Sequence, residues 1–190
     1  MHLSKYKIFH FIDEFDPNYI LKLNKNIILI FRNYRKEHDF SFYMKIKKFC
    51  KNHGYKILLS NNYRLALKAN FDGVYVPSFN KSLTFLQNKK KNFITAGSAH
   101  NNYQIKIKEK QGVDYIFISP LFMTKNKKGM GIYRFLNLCK KTKKNVVILG
   151  GINKKNISKI KLIKVNAFAS ISYIKNNAIK SENSRTIKYN

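Results

Sequence analysis

The feature that most constrains this chain is a repeat of eight short apolar runs, each followed by a segment with helix signals. The runs are 7–12, 27–31, 56–59, 73–76, 92–96, 114–118, 146–149 and 167–171. They are rich in Ile, Val and Phe and too short for core helices, so they read as strands buried on both faces. Helices are expected between them. One opens at Pro17 and runs to Leu23. Another spans 40–52, with Phe42, Ile46 and Phe49 at helical spacing and His53-Gly54 as its stop. Further helices are expected over 62–69, 82–88 and 102–111, and from the end of a polar loop at 122–131 to about Lys141. Strands that alternate with helices predict a parallel sheet. Eight such units favour one closed (β/α)8 barrel, a TIM barrel, over an open doubly wound sheet. At 190 residues the chain must use short loops. The barrel is expected over 1–174 and a polar tail over 175–190, with a short last helix.

One stretch carries more chemistry than the rest, Val146-Val147-Ile148-Leu149-Gly150-Gly151-Ile152-Asn153. A buried strand ends at two glycines, and Asn153 then reads as the N-cap of a helix. Glycine lets an oxygen come close to the backbone, and the free N–H groups of a helix start attract an anion. The same residues also suit a plain turn that needs glycine for its geometry.

Charge is the other conspicuous property. The formal net charge is +29, from 38 Lys and Arg against 9 Asp and Glu. Such a balance ordinarily points to a polyanion. Here the excess is lysine spread along the chain, and Lys, Asn and Ile share A/T-rich codons, so nucleic-acid binding is not expected. Cys50 and Cys139 form no CxxC pattern, so they read as reduced core thiols rather than a disulfide or zinc site. No apolar run is long enough to cross a membrane and the N-terminus lacks a signal-peptide core, so a cytoplasmic location is expected.

In a barrel of this kind, chemistry sits where the strands end. That rule selects Asp13, Arg32, Asn61, Asn80, Ser98, His100, Ser119, the loop from Thr124 to Lys127, Gly150-Gly151 and residues Ser170 to Ser172. Asp72 and Asp114 lie where strands begin and read as structural hydrogen-bonding groups. His2, His10, His38 and His53 read as surface or packing residues.

Several of these stretches, in this order, resemble the thiamine phosphate synthase and TenI family. Gly112-Val113-Asp114-Tyr115-Ile116 resembles its G-A-D-Y-I, and Pro120-Leu121-Phe122-Met123-Thr124 its P-V-F-x-T. Ile148 to Asn153 resembles A-I-G-G-I-N, Ser98-Ala99-His100 resembles S-x-H, and Ala66-Leu67 with Asp72-Gly73-Val74 resembles A-L…D-G-V. The resemblance implies thiamine biosynthesis. The synthase joins a thiazole phosphate to a pyrimidine diphosphate with Mg²⁺; TenI relatives tautomerise a thiazole carboxylate phosphate by proton transfer. It also implies that Gly150, Gly151 and Ser172 hold the thiazole phosphate. Arg32, Ser98 and Lys127 would face the diphosphate, Thr124 and Asn126 the thiazole, and His100 would move the proton. A homodimer is compatible with the family.

The departures matter as much. The synthase metal aspartates on strands three and four are replaced by Asn61 and Asn80. Of its Q-x-R-x-K on strand two, only Arg32 remains. Mg²⁺ is a hard cation that favours carboxylate oxygens, and a neutral amide supplies less. No resident metal is therefore expected, and Mg²⁺ enters only if synthase chemistry is retained. TenI-like proton transfer is favoured, with an active synthase and a non-catalytic thiazole or thiamine phosphate binder as alternatives.

Overall fold

The computed structural model describes residues 5–34, 37–83 and 90–177. Eight parallel strands close into a barrel in sequence order, β1 to β8. They are β1 Lys7–Ile12, β2 Ile27–Phe31, β3 Lys56–Ser60, β4 Gly73–Val76, β5 Ile94–Ala99, β6 Tyr115–Ile118, β7 Asn145–Leu149 and β8 Ala167–Ala169. The ring closes through β8 on β1, with Ile8 opposite Phe168. The intervening helices are α1 Pro17–Leu21, α2 Phe40–Asn52, α3 Tyr63–Lys68, α4 Asn102–Lys110 and α5 Gly131–Cys139.

Alternation along each strand splits its apolar residues between two layers. One set fills the barrel: Phe9, Phe11, Ile28, Ile30, Leu58, Tyr75, Ala96, Phe117, Val147, Ala167 and Ala169. Phe117 anchors this interior. Its ring meets Phe9 at 5.0 Å and Tyr75 at 5.3 Å, both edge-on. The alanines of β5 and β8 leave the volume those rings need. The other set, including Leu29, Phe31, Ile57 and Ile118, packs outward under the helices with Ile46, Ile105 and Phe135.

Asn residues cap two of the helices. Asn62 and Asn101 accept from Leu65 and Gln104 backbone N–H groups, each within 3.0 Å. Asp72 accepts from the Ile57 N–H and pairs with Lys47. Asp114 accepts from the Thr95 N–H and hydroxyl. Both carboxylates thus serve the N-terminal side of the barrel as structural groups. Cys50 and Cys139 are free thiols, pushed up to about 12 and about 11 by burial.

Two expectations change. After β7 the chain forms a 3₁₀ helix, Ile157–Leu162, instead of an α-helix. Asn153 does not cap it. Its side chain accepts from the Lys155 N–H in a local turn, and its own N–H donates to Asn156. A short last helix is described over residues 172–177. Most of the helix expected over 82–88, and the tail beyond 177, lie outside the described residues.

Candidate functional site

The C-terminal rim divides into two halves. On the β6–β8 side, the loop after β6 lies directly over the two glycines. Leu121 N–H donates to Leu149 O at 2.9 Å, and Phe122 N–H donates to Gly150 O at 3.1 Å. A Cβ on Gly150 would come within 2.5 Å of Pro120, and one on Gly151 within 2.3 Å of the Met123 carbonyl. Both glycines also have positive φ, +100° and +68°. Glycine is therefore required here by loop packing and by backbone conformation.

Their amides nonetheless remain open. The N–H groups of Gly150, Gly151, Ile171 and Ser172 make no hydrogen bond to any described residue. Ser170 ties the two strand ends together: its hydroxyl donates to Ile152 O and accepts from the Tyr173 N–H. Ser170 is fixed in turn by buried His10. His10 Nδ1 donates to Ser170 O at 2.8 Å, and Nε2 accepts from the Tyr19 hydroxyl at 2.7 Å. Burial lowers the His10 pKa, which keeps the ring neutral in this role.

His100 follows β5 and does not cap α4, because Asn101 does. Its Nδ1 lies 2.7 Å from Ser119 O. A carbonyl can only accept, so Nδ1 carries a hydrogen, which leaves Nε2 as the ring nitrogen positioned to exchange a proton. The Ser119 hydroxyl is also within 3.2 Å of Nδ1, and Gln104 holds the His100 backbone N–H at 2.7 Å. The histidine is thus oriented from two sides. Ser98 is buried below the rim and hydrogen-bonds the Tyr75 hydroxyl. Thr124 closes a tight turn on Lys127. Its hydroxyl accepts from the Lys127 N–H, and its own N–H donates to Lys127 O. Asn126 and the Lys127 side chain are exposed on that turn.

On the β2–β4 side every polar group named has a protein partner. Arg32 forks onto Asp13 at 3.1 and 3.4 Å, above the face of Phe11. The Tyr34 hydroxyl meets the Ser60 hydroxyl. Asn80 Nδ2 donates to Asn61 Oδ1 at 2.8 Å, so the two positions satisfy each other. Asn61 does so at φ 59°, a conformation Asn tolerates better than most residues.

Lys108 completes this half from below. It is fully buried, and its ammonium donates to Pro77 O, Asn80 O and Gln111 Oε1, all at 2.8 Å. Gln111 donates to Asn80 O and Ser82 O. Burial lowers the Lys108 pKa to about 8. The side chain passes Gly97, where a Cβ would sit 2.7 Å from its Cδ.

These residues do not fit Mg²⁺. Asn61 and Asn80 bring no charge and are bonded to each other, Asp13 is engaged by Arg32, and an ammonium lies beneath Asn80. Among the described residues no group of three or more His, Cys, Asp and Glu gathers as a ligand set. The sequence reading missed Lys108 and Gln111. Ser119 was noted as a rim residue, but its role as the partner of His100 depends on the neighbouring strand. Lys108 and Gln111 lie in a polar helix that reads as solvated.

The architecture is a (β/α)8 barrel whose polar groups gather at the C-terminal rim, the face where such barrels carry their chemistry. Residues 24–174 match the family model described as thiamine monophosphate synthase, TMP-TENI, and the chain belongs to that family. A thiamine-phosphate synthase from Pelagibacter ubique is 34% identical over 137 residues, covering 70% of this chain and 66% of that protein. One from Prochlorococcus marinus is 32% identical over 139 residues, covering 70% of this chain and 39% of the relative. The matches thus span less than two thirds of those relatives' lengths. A solved thiamine phosphate pyrophosphorylase from Pyrococcus furiosus shares the fold, with a TM-score of 0.73, 16% identity and 99% coverage of both chains. Among the described residues no helix is long and apolar enough to cross a membrane.

Proposed function

We propose that this protein binds a thiazole phosphate at the β7–β8 rim and moves a proton on the thiazole, as TenI relatives do. The observation that carries this reading is the Asn61–Asn80 side-chain hydrogen bond: at the positions where the resemblance implies metal-binding aspartates, two neutral amides bond each other. The phosphate is held by the open amides of Gly150, Gly151 and Ser172. Ligands of this size rest on a few placed polar groups, and Thr124 and Asn126 border the ring while Lys127 adds charge. His100 serves as the base: its Nδ1 is held by Ser119 O, so Nε2 takes the proton from the thiazole and returns it at the other position. Arg32 and Ser98, which would face a diphosphate in a synthase, are bonded to Asp13 and Tyr75 instead.

A second reading, an active synthase that also takes a pyrimidine diphosphate, draws on the names of the relatives that share about a third of the sequence. One experiment separates the two. Deuterium exchange on the thiazole tautomer should be catalysed without Mg²⁺, and His100→Ala should lower the rate about a hundredfold while leaving affinity unchanged. Thiamine phosphate formed from both half-molecules in Mg²⁺ would sink the proton-transfer reading in favour of the synthase. Silence in both assays with phosphate binding intact would leave a non-catalytic binder.

A further inference from the structure

The opposite mouth of the barrel has its own chemistry. A cavity of about 1000 Å³ opens on the N-terminal face, where the strands begin. Six lysines line it: Lys5, Lys7, Lys25, Lys56, Lys144 and Lys164. They are scattered over the sequence, yet the closed ring gathers them. They stand at or just before the starts of β7, β8, β1, β2 and β3, five strands that are consecutive around the barrel.

Among the described residues no carboxylate lines this cavity. The acidic groups nearest that face are committed elsewhere: Asp72 to Ile57 N–H and Lys47, Asp114 to Thr95, and Glu109 to Lys106 and Thr142. Three of the ammonium groups are held over aromatic rings. Lys7 lies over Tyr115 and also donates to its hydroxyl; Lys25 lies over Tyr55, and Lys5 over Tyr6. The six lysines, all exposed except half-buried Lys144, ring one concave mouth, where their like charges repel one another and set a positive potential over the bowl. An anion relieves that repulsion.

We infer that this N-terminal bowl is a second anion site, separate from the thiazole phosphate rim, that takes a small polyphosphate. The lysines are spread over five strands, so one phosphate reaches only some of them while a chain of phosphates reaches more. The volume is that of a small-molecule pocket. Lysines act as point charges that do not demand the flat geometry an arginine fork selects.

The test uses the full chain with inorganic tripolyphosphate, ATP and inorganic phosphate in calorimetric titrations at physiological salt. Tripolyphosphate should bind more tightly than phosphate. The variant Lys7→Gln/Lys56→Gln/Lys144→Gln should weaken it about tenfold or more, against less than about twofold for Lys45→Gln/Lys48→Gln/Lys161→Gln, which lies outside the bowl. ATP binding as well as tripolyphosphate makes the ligand a nucleotide held by its phosphates; tripolyphosphate alone makes it the inorganic chain. The folded wild type gives an independent readout. Tripolyphosphate should protect Lys5, Lys25, Lys144 and Lys164 from acetylation and leave Lys45, Lys48 and Lys161 reactive. Equal losses in the two triple variants, absence of binding, protection spread over all lysines, or a short DNA duplex bound more tightly than tripolyphosphate would each overturn the site.

Discussion

The two halves of the C-terminal rim solve the same problem in opposite ways. Around β2–β4 the protein answers its own polar groups: Arg32 with Asp13, Asn61 with Asn80, and Asn80 O with Lys108 and Gln111. Around β7–β8 the backbone N–H groups of Gly150, Gly151, Ile171 and Ser172 are left without described partners. A polar group that is already bonded gains little from a ligand, because binding only exchanges one partner for another. An open amide at a strand end gains a partner. The difference teaches that a polar rim is not by itself a ligand site. Asn61 and Asn80 are cross-linked to each other and braced by a buried ammonium.

The largest test of the open half is Gly151→Asp, which sets a carboxylate among the amides and should abolish phosphate binding in a titration. The substitution also strains the loop, since its Cβ meets the Met123 carbonyl at 2.3 Å. Gly151→Ala carries that strain without charge. It should lower stability by about 2 kcal/mol and retain measurable binding. Equal binding by the aspartate and alanine variants would remove Gly151 from the phosphate site.

For the closed half, Lys108→Met should destabilise the fold by about 3 kcal/mol, because three buried acceptors lose their donor. Phosphate affinity should stay within about twofold of wild type, since the effect is confined to the other half. The lysine also leaves a pH signature. Its pKa falls from 10.5 to about 8 on folding, so between those values the unfolded chain binds more protons and stability rises with pH. The variant should lack that rise in thermal melts from pH 8 to 10. A smaller change is expected for Asn61→Asp/Asn80→Asp. Two facing carboxylates should cost about 2 kcal/mol without metal and regain it in Mn²⁺. The wild type should show no Mn²⁺-dependent shift in melting temperature.

How far the sequence could lead differs between these halves as well. The eight strands were legible because both-face burial leaves continuous apolar runs, as in Ile27–Phe31 and Val146–Leu149. Asp72 and Asp114 were legible as structural groups because each precedes a strand. The 3₁₀ helix after β7 was not, since Asn153 has the residue type of a cap and only its local turn shows otherwise. The partner of His100 lies just past the end of the next strand of the ring, 19 residues away. Lys108 was the least legible. Its burial depends on Gly97, a glycine in a neighbouring strand whose missing side chain opens the path. Cross-strand relations of this kind exist only after the barrel closes.

The central claim, that thiazole phosphate binds at the open half of the rim and needs no metal, is tested most directly by one titration. Thiazole phosphate is added to the full chain with EDTA and again with saturating Mg²⁺. The same affinity, within about twofold, is the predicted result. Binding that appears only with Mg²⁺ would contradict it.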